Sequence, residues 1–158
     1  MGKPVKLKDI VDAIGFQSDE HSYYVDIAKG EIVLMPEEVM RAVEVEADIE
    51  DLPDWEKDLV DVAQAIFADV NSRRFAPLPT SFDIHEYRII ERFCGSIEDE
   101  EIAKVLYTAI RGRGAFRVFK DTISRFGIAE KWYKFRDDAL REIAIDWCES
   151  NNVEYSDK

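Results

Sequence analysis

HSYYVDIAKGEIVLM, His21 to Met35, carries the clearest β signal in an otherwise helical chain. Its flanks, residues 23–27 and 31–35, are rich in β-branched and aromatic side chains. Ala28-Lys29-Gly30 between them supplies a short loop with a glycine able to take φ > 0. The pattern predicts a β-hairpin. A lone hairpin is only marginally stable in water, so this one must pack on a helix or find a third strand. The expected class is therefore α+β: mostly helical, with an N-terminal helix plus β-hairpin packed on a C-terminal bundle of about four helices.

Toward the N-terminus, Leu7, Ile10, Val11 and Ile14 recur at helical spacing and Gly15 follows as a stop. On the other side, Pro36-Glu37-Glu38 marks a helix start, with proline in the first turn and acids at the positive end of the dipole. Residues 43–50, VEVEADIE, alternate apolar and acidic positions and read as an extended acidic connection. Residues 51–71 predict one helix on a stripe of Trp55, Leu59, Val62, Ile66 and Val70. RRFAPLPTS, residues 73–81, contains two prolines, which force an extended connector with room for a short edge strand.

Beyond residue 81 the pattern is helical. Ser81 or Asp83 can cap a helix to Phe93, with Asp83 and Glu86 resembling a capping box and Gly95 closing it. Ser96 with Asp99 starts a second helix on Ile102, Val105, Leu106, Ala109 and Ile110, ended by Gly112. A third runs from about Gly114 to Phe126. A fourth covers residues 130–149 on Trp132, Phe135, Ala139, Ile143 and Trp147. Loops of two to four residues imply antiparallel packing of neighbours. A length of 158 residues predicts a single domain, 1–158: a helix and hairpin subregion 1–50, a helical subregion 51–150 and a loose tail 151–158.

Composition narrows the function classes. Hydrophobic content of 46%, with nine Phe, six Tyr and three Trp, excludes a disordered chain. The net charge of −13 is uneven: residues 1–72 hold 18 acids against 6 bases, residues 73–158 hold 16 against 15. The acidic half repels nucleic acid and anionic membrane. Residues 111–136 invert the sign, with eight bases and two acids. No apolar run approaches the roughly 20 residues of a membrane helix. Lys8, Asp9 and Asp12 interrupt any signal-like start, and Lys6 stands where myristoylation needs Ser or Thr. Cys94 and Cys148 read as reduced thiols of a cytoplasmic protein.

The hairpin, FDIHEYRIIERFC, RGRGAFRVFKDTISRFGI and WYKFRDDALREIAIDWCE together resemble the bacterial Uncharacterised Protein Family 0158 over nearly the whole chain. Residues 82–93, 110–126 and 132–147 carry the resemblance, and 43–51 match least. It implies a matching order of segments, and no particular activity, substrate or cofactor.

The expected role is that of a small binding or regulatory protein. Its main candidate site is IRGRGAFRVFK, residues 110–120. Gly112 and Gly114 make a corner between helices, where backbone N–H groups and the dipole favour an anion. Arg113, Arg117 and Lys120, spaced i, i+4 and i+7, would share a helical face, with Arg111 beside them. Such a strip suits a phosphate, an acidic peptide or a nucleic-acid backbone. The plainer explanation is pairing with the protein's own 34 carboxylates. The alternative is an enzyme acting on a phosphorylated or nucleic-acid substrate through His85 and Glu86 in DIHEYR. Adjacent helical residues point about 100° apart, however, and Ile89 stands where a zinc helix HExxH needs its second His. Two His and two Cys without a close pair argue against a metal, and no cofactor is expected. A third reading docks a basic partner on the acidic run 44–61, with nine acids and one lysine, against the plain alternative of a solvated face. Trp132, Tyr133 and Phe135 among Lys131, Lys134 and Arg136 match a base-stacking pattern, and more simply a core edge.

Overall fold

A two-residue strand, β1 (Val5–Lys6), runs straight into α1 (Leu7–Gly15). Leu7, Ile10, Ala13 and Ile14 of α1 are buried, the face its periodicity marks. The hairpin follows as β2 (His21–Asp26) and β3 (Glu31–Pro36), in the register Tyr24↔Val33 and Asp26↔Glu31. Gly30 takes φ +65°, and a Cβ there would lie 2.6 Å from the Pro4 carbonyl oxygen, so the turn requires glycine twice over. The computed structural model describes residues 3–16, 20–45, 50, 52–71 and 73–157, and of Phe82 the backbone alone. These residues fall into two compact units, 1–81 with 143–158, and 82–142.

In the first unit α2 (Glu37–Glu44), α3 (Asp54–Lys57) and α4 (Val60–Ala68) follow the hairpin. Met35, Val39, Ala42, Leu52, Val60 and Ala63 form the core here. The single helix expected over 51–71 is thus two; Leu59, Val62 and Ile66 of its stripe pack against this core, but its end positions do not. Trp55 is 60% exposed and Val70 86%, whereas Glu56 is only 4% exposed. The buried positions pass through a glutamate, the residue a hydrophobic stripe assigns to solvent. The connection expected at 43–50 begins as helix, since α2 reaches Glu44. Its residues 46–49 lie outside the described residues.

The hairpin obtains its third strand. β4 (Phe75–Pro77) pairs antiparallel with β2, giving the order β3-β2-β4. Asp69 steers the chain into it, accepting from the backbone N–H groups of Arg73, Arg74 and Phe75 at 3.1, 2.9 and 2.8 Å. These bonds hold its carboxyl below the usual carboxylate range. Buried Asp26 accepts from the turn amides of Ala28 and Lys29 and pairs with Arg74 at 3.3 Å. The C-terminal tail is pinned, contrary to expectation. β5 (Tyr155–Ser156) pairs parallel with β1, Val5 N–H donates to Glu154 at 3.0 Å, and Val153 is buried. A two-residue bridge between distant segments leaves no local periodicity to read.

The second unit holds α5 (Ser81–Ile84), α6 (Glu86–Ser96), α7 (Glu100–Ala109), α8 (Ala115–Arg125) and most of α9 (Ala129–Ser150). His85 at φ +54° breaks the helix expected from Ser81 or Asp83 to Phe93. The capping box does not form, because Asp83 lies within α5. Gly95 lies inside α6. Asp99 caps α7, accepting from Glu101 and Ile102 N–H at 3.0 and 3.3 Å. Phe93, Phe119 and Trp132 are buried and meet edge to face, with Phe135 joining Phe93 at 5.4 Å. The protein is α+β and mostly helical. Among the described residues no helix is long and apolar enough to cross a membrane.

Candidate functional site

The turn between α7 and α8 gathers the cations. Tyr87 donates its hydroxyl to the Ile110 carbonyl at 2.9 Å and so fixes the end of α7. Gly114 takes φ +68° as the N-cap of α8. Arg113 therefore precedes the helix. It does not share a helical face with Arg117 and Lys120, as the i, i+4, i+7 spacing implied, because the left-handed glycine breaks the phase. Arg111, Arg113, Arg117 and Lys120 are all exposed, and none pairs with a carboxylate among the described residues. Gly112 is open as well, since a Cβ there would meet nothing within 4 Å.

Beside this turn, α7 and α8 enclose a groove of about 400 Å³. Val105 and Ala109 line it from α7, Val118 and Thr122 from α8, and Lys104 and Arg125 stand at its walls. Thr108 and Thr122 also face it, but each hydroxyl bonds back to its own helix, at 3.0 Å to Lys104 and 2.7 Å to Val118. With those donors spent, the floor is effectively apolar. Val105, Phe116 and Val118 remain substantially exposed. The opposite faces of both helices, Leu106 with Ile110 and Phe119 with Ile123, go to the core. The periodicity marked Val105 as core; it faces the groove instead.

Glu86 is already engaged: Arg136 Nε donates to its Oε1 at 2.7 Å. Exposed His85 sits at the left-handed break beside it. Trp132 is buried and Phe135 half-buried in the aromatic cluster, so of the aromatic run only Tyr133 faces solvent. In the acidic run 44–61, Glu56 is buried, and residues 46–49 and 51 lie outside the described residues.

A second cavity, of about 390 Å³, lies in the first unit where β2 outruns β4. His21, Ser22, Tyr24 and Glu37 line one side and residues 77–81 the other. Ser22 Oγ donates a hydrogen bond to Glu37 Oε1. Burial and the Glu37 carboxylate push the Tyr24 phenol up from its ordinary value. Sequence reasoning missed this cavity. Its residues come from three separated stretches, and the one local signal was His21 inside a strand.

These features define a mostly helical α+β protein whose helical unit carries a groove beside a local cluster of cations, and whose sheet-bearing unit carries a polar cavity. The chain belongs to the uncharacterised protein family UPF0158, whose profile matches residues 3–158. It is similar to a UPF0158 protein of Pseudomonas aeruginosa, 23% identical over 147 residues, covering 91% of this chain and 83% of that one. No solved structure matches.

Proposed function

We propose that this is a binding protein whose working surface is the α7–α8 face, and that it docks an acidic amphipathic segment of a partner protein. One observation carries the reading: an apolar groove walled by Lys104 and Arg125 adjoins four exposed cations, unpaired among the described residues, in a chain of net charge −13. Cations left unpaired amid such an excess of carboxylate favour an external anion. The groove adds apolar surface that free phosphate would not need. An amphipathic helix laid in a groove satisfies both, with aliphatic anchors at i, i+4 and i+7 and acids along its flanks. Asp121 is the one acid on α8, against Arg117, Lys120 and Arg125. A cytoplasmic setting suits Cys94 and Cys148, both free and buried, with thiols pushed up to about 11 by burial. The engagement of Glu86 by Arg136 weighs against an enzyme built on His85 and Glu86.

The test is fluorescence anisotropy with a helical peptide of leucines at i, i+4, i+7 and glutamates elsewhere, beside its scrambled form and a single-stranded RNA. The helical peptide is expected to bind, to weaken with salt, and to lose at least about tenfold with Arg113→Glu/Arg117→Glu, or about 1.4 kcal/mol. Val118→Asp should cost at least as much by placing a charge in the groove. RNA binding with no peptide binding would transfer the surface to nucleic acid. Peptide binding indifferent to both variants would overturn the reading.

A further inference from the structure

We propose that the cavity at the end of β2 is a binding site for a small organic cation, a primary ammonium on a short apolar chain, with Glu37 as its counter-ion. The cavity volume, about 390 Å³, lies within the range of small-molecule sites. Glu37 lines it beside His21, and no lysine or arginine does among the described residues. Glu37 is also prepared for a ligand. Its Oε1 is held by the Ser22 hydroxyl, and its Oε2 takes no hydrogen bond among the described residues. Ser22 thus orients the carboxylate without exhausting it.

The other walls fit the same ligand. Tyr24 is held as a neutral phenol by burial and by Glu37. It offers an oxygen lone pair and a ring face, both of which attract an ammonium. Pro77, Leu78 and Pro79 supply apolar surface for an alkyl stem. This wall is fixed: Leu78 N–H donates to Tyr23 at 3.0 Å, and the Pro77 carbonyl accepts from Trp147 Nε1 at 3.1 Å. An anionic ligand would meet Glu37 at once, and a neutral one would leave its Oε2 unpaired.

The experiment is calorimetric and NMR titration of the full chain, in an amine-free buffer at pH 7.5, with n-butylammonium, n-butanol and butyrate. Saturable one-site binding of n-butylammonium is expected, with shifts centred on Ser22, Tyr24, Glu37 and Leu78, and at least tenfold weaker binding of the other two. Glu37→Gln should weaken the ammonium at least tenfold, and Tyr24→Phe by a smaller factor. Nα-acetyl-lysine methylamide separates the sources: its binding admits a lysine side chain of a polypeptide, and its exclusion restricts the site to free amines. Both support an ammonium site. Equal binding of n-butanol, no saturation, or equal affinity in a folded Glu37→Gln protein would overturn it. If Glu37→Gln does not fold, the wild-type comparison of the three probes decides alone.

Discussion

Phe93→Ala is expected to cost about 3–5 kcal/mol of stability, the range for truncating a fully buried phenylalanine. Phe93 is 2% exposed and stands at the centre of the aromatic cluster. Its ring lies 6.0 Å from that of Phe119 on α8, and 5.4 Å from those of Trp132 and Phe135 on α9, all edge to face. Each such pair adds about 0.5–1.5 kcal/mol beyond its buried area. The hole left by alanine cannot close cheaply, because the surrounding rings come from different helices and Phe119 also packs on Trp132 at 5.0 Å. A domain of this size holds about 5–15 kcal/mol in total, so the variant should unfold at a markedly lower urea midpoint with m unchanged. Phe116 on the same helix α8 is 48% exposed. Phe116→Ala should stay within about 1 kcal/mol of wild type. A Phe93→Ala protein as stable as the Phe116 variant would show that the cluster does not carry this unit.

The hairpin was legible because its evidence is local: period-two flanks and a loop glycine lie within fifteen residues. β4 was legible as an extended edge because prolines forbid helix there. The helices of 86–150 were legible from period; the start of the second was read at Ser96 with Asp99, whereas Ser96 ends α6 and Asp99 itself caps α7, acting on its own next residues. Features that depend on distant partners were not. β1 and β5 are two residues each and mean nothing until paired. The break at His85 rests on a left-handed backbone that no composition signals at a histidine. The stripe over α3 and α4 failed at its ends, where Trp55 and Val70 are exposed and the adjacent Glu56 is buried, a position that a hydrophobic count assigns to solvent. The candidate site divides the same way. Gly112, Gly114 and the arginines could be read as a cationic corner. The groove requires knowing how α7 and α8 turn toward each other, and the Glu37 cavity requires three stretches to meet.

Glu56→Gln is expected to stabilise the protein, by an amount that grows with pH to about 1–3 kcal/mol, the usual cost of a buried unsatisfied polar group. Among the described residues Glu56 Oε2 is buried without a hydrogen-bond partner, and the Glu38 carboxyl acts on the side chain, so Glu56 is favoured when it carries a proton. Burial raises the Glu56 pKa, the Glu38 charge and hydrogen bond raise it further, and His21 acts the other way without cancelling them. The folded protein therefore holds this proton more tightly than the unfolded chain does. That preference favours folding fully below the unfolded carboxyl pKa of about 4.3, and it is lost as pH rises through the folded value. Glutamine keeps the shape, cannot ionise, and offers an N–H to Glu38. Near pH 4 a protonated Glu56 and the glutamine that replaces it are both neutral, so the two proteins should be nearly equal in stability. Above that, the gap should widen by at most about 1.4 kcal/mol per pH unit, the limit for one proton. Asp69, whose pKa is lowered, works in the opposite sense: its contribution is lost as pH falls. It is present in both proteins and cancels in the difference. Urea denaturation of both proteins at pH 4.5, 6, 7 and 8 measures that difference directly. A gap that stays flat, or a Glu56→Gln protein that is the weaker one at pH 8, would mean that the fold does not disfavour the Glu56 carboxylate. A widening gap would place a destabilising charge at Glu56.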